Sequence, residues 1–144
     1  MKIVLDTSVI VAALMSRNGA ANALLIYLFE TEEKINVISN TLTVEIEAVL
    51  KHPSNKEKIG NLRDEEINQF IDDLCLISHH QKINFLWRPF LRDSQDDMVL
   101  ETAFNAGADA IITYNLKDFA NVEKHMGIKV MIPKDLLRQI GGTL

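Results

Sequence analysis

Residues 2–14, KIVLDTSVIVAAL, decide the fold of this chain. Apolar and β-branched residues run without alternation through residues 2–5, which predicts a strand buried on both faces. A single carboxylate, Asp6, follows the strand, and residues 8–15 are predicted to form an apolar helix. A buried strand that passes directly into a helix is typical of α/β proteins with a parallel sheet. Asp6 therefore falls at the carboxyl end of a strand, which is where such sheets bind ligands.

Composition sets limits on the class of protein. The chain has 144 residues, which predicts one domain, and a formal charge of −5, which argues against a passive nucleic-acid-binding protein. The first residues are too short and too acidic for a signal peptide, and no apolar run is long enough to cross a bilayer. The single cysteine, Cys75, permits no intramolecular disulfide and is interpreted as a small core residue. These features predict a cytoplasmic protein with no membrane partner.

The rest of the chain alternates short buried strands with helices. Further strands are predicted at 35–39, 109–114 and 129–132, with a short one within 79–85, and further helices at 20–30, 40–50, 64–77, 96–108 and from Pro133. Residues 51–61 are predicted to be a polar break with proline and glycine, and residues 86–95 a loop. This pattern predicts a parallel sheet with both faces covered.

The helix around Glu45 carries an acid on its apolar side. At 100° per residue, Glu45 points close to the mean direction of four apolar residues, whereas Glu47 points away from it. These four are Leu42, Ile46, Ala48 and Val49. A carboxylate in this position is costly unless a partner compensates it. A glutamate that reaches out to solvent, or one paired with a lysine, is the alternative explanation.

The helix from residue 96 shows the same conflict. Asp96 lies on the predicted apolar stripe, which is formed by Val99, Leu100, Ala103, Phe104 and Ala106. An acid near a helix N-terminus is ordinary, but this preference does not explain why Asp96 faces inward.

Two further acids follow predicted strands. Asp6 also suits a helix N-cap, and Asp118 also suits a turn. Taken together, Asp6, Glu45, Asp96 and Asp118 are expected near one edge of the sheet. Clustered carboxylates repel one another unless a cation lies between them, and an all-oxygen site favours Mg²⁺ or Mn²⁺.

Three segments carry a resemblance to a known family: IVLDTSVIVAAL, VEIEAVLKHP and RDSQDDMVLETAFNAGADAIITYNLKDF. From Met1 to about Pro133 the chain resembles the PIN-domain ribonucleases, the family that supplies many toxins of bacterial toxin–antitoxin systems. The resemblance implies one PIN-like nuclease domain over residues 1–144. It also implies a three-layer α/β/α sandwich with a central, mainly parallel sheet of Rossmann-like type.

The resemblance also implies a metal-dependent activity. Family carboxylate positions match Asp6, Glu45 and Asp96, and the fourth is assigned to Asp118, because Asn115 stands where many members have an aspartate. These residues are expected to be both catalytic and Mg²⁺- or Mn²⁺-binding in a hydrolase that cleaves RNA phosphodiester bonds. Thr7 or Ser8 is expected to hydrogen-bond a carboxylate or the phosphate. The residues expected around the metal ligands, without direct contact with the ion, are Thr7, Ser8, Asp93, Asp97, Thr113 and Asn115. A cognate antitoxin and a homodimer are the implied partners besides RNA. The apolar helices 20–30 and 64–77 are expected to form the surface of the homodimer.

Residues that bind the RNA are less visible in the sequence. Candidates for phosphate contacts are Arg17, Lys51, Arg88, Arg92 and Lys117. The aromatic residues of FLWRPF, which are Phe85, Trp87 and Phe90, suit base stacking, an interface with a partner, or core packing. The histidines lack metal-binding spacing and are interpreted as surface residues; they are His52, His79, His80 and His125.

Two other classes of protein remain as alternatives. A non-catalytic PIN-like module that binds RNA or protein is compatible with Asn115, although the three matched acids argue against it. A phosphate-accepting α/β domain of the aspartyl-phosphatase type needs an acid two residues after Asp6, where this chain has Ser8, and a receiver domain needs paired acids after its first strand.

Overall fold

The computed structural model describes residues 1–85 and 94–141, and for residues 94 and 95 the backbone alone. Three parallel strands pair in the order β1 (Ile3–Leu5), β4 (Ala110–Ile112), β5 (Lys129–Met131). A second parallel pair joins β2 (Val37–Ile38) to β3 (His79–His80). An isolated parallel bridge between Ile3 and Asn36 connects the three-stranded sheet to the β2–β3 pair along β1. The predicted parallel sheet is therefore confirmed.

Helices surround this sheet and make the fold an α/β sandwich, as expected. Their bounds are α1 Thr7–Met15, α2 Ala20–Glu30, α3 Asn40–Lys51, α4 Pro53–Lys58, α5 Asp64–Leu76, α6 Ser94–Ala106, α7 Ala120–Met126 and α8 Pro133–Gly141, with a 3₁₀ helix at Leu116–Phe119. Helix α6 packs across β1, β2 and β4, so β1 is completely buried, as its apolar sequence predicts.

The order of the strands places a crevice beside Asp6. Strand β1 lies between β2 and β4, so the chain leaves β1 toward one side of the sheet and later returns on the other. Asp6 follows β1 and Thr113 follows β4, and the Asp6 N–H donates to Ile112 O at 2.9 Å. Ligands of α/β sheets bind outside the carboxyl ends of strands at this kind of reversal.

Two helices fall where none was predicted. Residues 53–58 of the supposed polar break form α4, because Pro53 suits the first turn and the His52 Nδ1 accepts a hydrogen bond from the Ser54 N–H at 3.2 Å. Helix α7 was also not predicted, and it ends at Gly127, whose φ is +68°. The predicted end of α6 near Gly107 is confirmed, and a φ of +62° there favours glycine over other residues.

Helical faces differ from prediction at two positions. The buried side of α3 is formed by Leu42, Ile46 and Leu50, and Ala48 is exposed, so Glu45 flanks the buried face instead of lying at its centre. Phe104 of α6 is 38% exposed and packs against Phe85, with ring centroids 5.6 Å apart. An apolar partner outside the core therefore accounts for a residue that was predicted to be buried.

Other expectations can be compared with burial directly. The four histidines are exposed, as predicted, and Cys75 is half-buried at the edge of the core. Within residues 1–85 and 94–141, no helix by itself has the length and apolar character to span a membrane; α1 and α2 pass this test as a pair, but a bend of 100° separates them.

Candidate functional site

The side chain of Asp6 joins the ends of β1 and β4. Its Oδ2 accepts hydrogen bonds from Ser8 Oγ at 2.8 Å and from Thr113 Oγ1 at 2.7 Å. Asp6 occupies the N-cap position of α1 but makes no capping hydrogen bond with its side chain. The carboxylate is 3% exposed and is directed across the sheet end instead, which removes helix capping as the explanation for this acid.

Both hydroxyls also accept hydrogen bonds from the chain that follows β4. Ser8 Oγ accepts from the Tyr114 N–H at 3.2 Å, and Thr113 Oγ1 accepts from the Asn115 N–H at 2.9 Å. Because each hydroxyl has one hydrogen, both hydrogens are directed at Asp6 Oδ2. We call this arrangement of Asp6, Ser8, Thr113 and the two amides the carboxylate clamp. The two hydroxyl groups of the clamp donate to Asp6 Oδ2. Asp6 Oδ1 receives no hydrogen bond from the described part of the chain and is the oxygen available to a ligand.

Glu45 lies on the second turn of α3. It is half-buried and lines a groove with Val49 and His52, whereas Glu47 is exposed and forms an ion pair with Lys51 at 3.0 Å. Helix α3 begins directly after β2, and Ser39 caps it by accepting a hydrogen bond from the Leu42 N–H at 3.2 Å. The two glutamates therefore occupy different surroundings on one helix, with Glu45 closer to the core.

Helix α6 buries three acids within its first two turns. Asp96 is 7% exposed, and Asp97 and Glu101 are each 1% exposed. Thr102 Oγ1 also lies 2.7 Å from Ser39 Oγ and links α6 to the start of α3. Glu101 was not singled out from the sequence. Its position one turn after Asp97 was the available signal, because residues four apart share a face of a helix.

Asp118 lies in the 3₁₀ helix that follows β4. It is exposed, and its N–H donates to Asn115 O at 3.0 Å, which closes the turn. Both residues line a shallow depression of about 410 Å³ together with Tyr114 and Lys117. The carboxylate clamp holds the start of this segment, because the Asn115 N–H donates to Thr113 Oγ1. The position of Asn115, and of Asp118 one turn later, therefore depends on the hydrogen bond between Thr113 and Asp6.

The candidate RNA-binding cations are spread over the molecule. Lys117 lies beside Asp118. Thr7, which is expected to hydrogen-bond a ligand or the phosphate, is half-buried at the start of α1, next to Asp6. Lys51 is engaged with Glu47. Arg17 follows the far end of α1, roughly 13 Å from Asp6 at 1.5 Å per helical residue. Of the candidates within the described residues, Lys117 lies next to the strand ends.

Several candidates fall outside the described residues. These are Trp87, Arg88, Phe90, Arg92 and Asp93. The chain immediately before them is held to α6: Asn105 Oδ1 accepts from the N–H groups of Asn84 and Phe85, and Asn105 Nδ2 donates to Phe85 O. Phe85 therefore packs on α6 and not against the strand ends.

The fit to a divalent cation can be tested on these side chains. Carboxylate oxygen is the donor that Mg²⁺ and Mn²⁺ prefer, and Asp6 Oδ1 receives no hydrogen bond from the described residues. Within the described residues, however, no group of three or more acids, histidines or cysteines is close enough to hold one ion. The donor chemistry fits, whereas convergence of Glu45, Asp96 and Asp118 on Asp6 is not found in that part of the chain.

Three side chains of α5 have a shifted pKa. A hydrogen bond from Lys56 lowers the pKa of Asp64, and the backbone N–H of Arg63 lowers the pKa of Glu66. Burial raises the pKa of the Cys75 thiol, which keeps it protonated and unreactive at neutral pH. The two acids stabilise the start of α5.

A family model described as a PIN domain matches residues 2–117. A chain in the crystal structure of VapBC2 from Rickettsia felis, bound to a DNA fragment from its promoter, superposes with a TM-score of 0.57 at 16% identity, covering 91% of this chain and 97% of that one. No curated protein matches the sequence.

Proposed function

The chain belongs to the PIN-domain family, and from this premise we propose that it is a divalent-metal-dependent endoribonuclease whose nuclease domain spans residues 1–144. PIN domains are generally nucleases and generally use divalent metal ions. The observation that carries the proposal is the carboxylate clamp, since it buries an acid at the sheet reversal and leaves one oxygen for a ligand.

The residues of this chain have distinct proposed roles. Asp6, Glu45, Asp96 and Asp118 would hold Mg²⁺ or Mn²⁺, and the bound ion would supply an activated water and neutralise charge on the phosphate. Ser8 and Thr113 orient Asp6, and Asn115 is proposed to support the ligands through its side-chain oxygen. Asp97 is proposed to act from the first turn of α6, beside Asp96.

The proposed substrate is RNA and the proposed biological role is that of a toxin held by an antitoxin. The support is the resemblance to the PIN-domain ribonucleases, which include many toxins, and the fold shared with a chain of VapBC2. Arg17, Lys51, Arg92 and Lys117 are the proposed RNA-binding cations, and the proposed location is the cytoplasm.

The decisive experiment compares wild type with Asp6→Asn in cleavage of single-stranded RNA at millimolar Mn²⁺. The amide oxygen of asparagine still accepts both clamp hydroxyls, so we expect a folded protein that has lost cleavage. Asp109→Asn is the matched control, because Asp109 is exposed at the opposite end of β4, where it accepts from the Lys2 N–H at 2.9 Å. Equal cleavage by Asp6→Asn and wild type would refute the proposal.

A non-catalytic PIN module is the second candidate. It is favoured by the lack of a converging ligand cluster within the described residues and by the neutral Asn115 after β4. RNA binding without cleavage in any divalent metal would establish it.

The proposed assembly is a homodimer through α2 and α5. Apolar side chains are exposed on both helices, including Ile26 and Phe29 on α2 and Leu76 on α5. Light scattering should give a dimer, and Ile26→Glu should shift it to a monomer. A monomeric wild type at every concentration would contradict this surface.

A further inference from the structure

A groove of about 330 Å³ extends from Glu45 along α3 to the start of α4. It is lined by Glu45, Ala48, Val49, His52, Ser54 and Asn55. The distance from Glu45 to His52 along the helix is about 10 Å, or two turns. The groove therefore begins at a proposed metal ligand and leads away from it, and its volume lies in the range of small-ligand sites.

His52 lines this groove and carries a hydrogen-bond donor. Its Nδ1 accepts from the Ser54 N–H at 3.2 Å and lies 2.7 Å from Ser54 Oγ. A ring nitrogen that accepts from a backbone amide carries no hydrogen of its own, so the neutral imidazole has its hydrogen on Nε2. This assignment follows from the hydrogen bonds and fixes both the tautomer and the direction of the ring.

Asn55 presents an acceptor in the same groove. Its Nδ2 donates to Val49 O at 2.8 Å, which orients the amide and leaves Oδ1 as an acceptor that no donor in the described part of the chain reaches. Val49 and the exposed Ala48 form an apolar wall between the two polar groups. The groove thus combines one donor, one acceptor and an apolar surface.

The charge of the groove distinguishes between parts of a nucleotide. Among the described residues, its lining includes Glu45 but no lysine or arginine, and the nearby Lys51 is paired with Glu47. Within the described residues this lining offers a phosphate no lysine or arginine, whereas a neutral base has donors and acceptors on its edge and an apolar face that match the rest of the lining. We propose that this groove binds one unpaired base of the RNA substrate, next to the cleaved phosphate, and that His52 and Asn55 set the preference for that base.

This inference rests on the proposed ribonuclease function, and two variants test it. His52→Asn retains a side chain that caps α4 but loses the imidazole donor. Ala48→Phe fills the groove from an exposed helical position. For both variants we expect KM for single-stranded RNA to rise about tenfold with kcat within twofold of wild type, and the preference at one flanking nucleotide to be lost.

The matched controls are His125→Asn and His125→Phe, because His125 is exposed on α7 and does not line the groove. Both should cleave like wild type. Circular dichroism melting checks that all four variants are folded. If His52→Asn and Ala48→Phe cleave with unchanged KM and unchanged base preference, the base site is wrong although the ribonuclease function stands.

A binding measurement separates the two hypotheses. Fluorescence anisotropy with a labelled RNA oligonucleotide in EDTA reports binding without metal-dependent cleavage. Weaker binding by both groove variants, in a protein that never cleaves RNA, would retain the base site and refute the nuclease. Unchanged RNA binding by both variants would overturn the base site, and loss of binding to a protein partner instead would assign the groove to that partner.

Discussion

Replacing Thr113 by valine tests the carboxylate clamp without changing the shape of the buried side chain. Thr113 is completely buried, and valine removes both the 2.7 Å hydrogen bond to Asp6 and the acceptor of the Asn115 N–H. A hydrogen bond to a charged group contributes about 1.5–3 kcal/mol, and the exposed Asn115 amide can be hydrated instead. We therefore expect the free energy of unfolding to fall by about 2–3 kcal/mol.

The corresponding change in melting temperature follows from the size of the chain. With an unfolding entropy of about 2.1 cal/mol/K per residue over 144 residues, this loss lowers Tm by roughly 7–10 °C. The loss of free energy is measured by urea unfolding followed by circular dichroism, and the change in Tm by thermal melting. Both are done in EDTA, so that metal binding does not contribute. Thr113→Ser keeps the hydroxyl and should lie within about 1 kcal/mol of wild type.

Ser8→Ala completes the comparison. Ser8 is half-buried and its bond to the Tyr114 N–H is longer, so we expect a smaller loss of about 1–1.5 kcal/mol. Because both hydroxyls donate to one oxygen, the double variant should deviate from additivity by at least 0.5 kcal/mol, on the order expected for residues that share a partner. A Thr113→Val protein as stable as wild type, or an additive double variant, would refute the clamp.

The remaining predictions concern the acids and the metal. Glu45→Gln should abolish RNA cleavage, whereas Glu47→Gln should leave it near wild type. Glu47→Gln should lower the free energy of unfolding by at most about 0.5 kcal/mol, since the Glu47–Lys51 ion pair is exposed. Equal cleavage by the two variants would contradict the different roles assigned to Glu45 and Glu47. Initial rates at saturating Mn²⁺ should fall by ~10² in Asp118→Asn and less in Asn115→Ala, and the reverse order would move the fourth ligand to Asn115. Mn²⁺ at 100 times its Kd should stabilise wild type by about 2.7 kcal/mol but not Asp6→Asn, and an equal rise in Tm for both would exclude Asp6 as a ligand.

The local sequence was sufficient to predict those strands and helix ends that depend only on neighbouring residues. Strand β1 and the acid after it were predictable because an uninterrupted apolar run specifies a strand covered on both faces. The end of α6 was predictable because Gly107 adopts the left-handed conformation that glycine favours. Helix α4 was not predictable, since its five polar residues become helical only with the cap from His52 and with Pro53 in the first turn.

Contacts between residues that are far apart in the sequence could not be predicted from local patterns. Asp6 was expected in the site from its position after β1, but the choice of Oδ2 as the bound oxygen depends on Thr113, which is 107 residues away. Ala48 and Phe104 show the limit of helical periodicity, because the buried side of a helix depends on which elements pack against it.

The separation of 107 residues between Asp6 and Thr113 also has a consequence for biosynthesis. At 5–20 residues per second, β1 is made roughly 5–20 s before the residues that complete the carboxylate clamp. Near the end of this interval the nascent chain contains Asp6, Glu45 and Asp96 but still lacks β4, the strand that pairs with β1. Any activity that depends on this site therefore begins late in translation, after nearly the whole domain has been synthesised, and a prematurely terminated chain would be inactive.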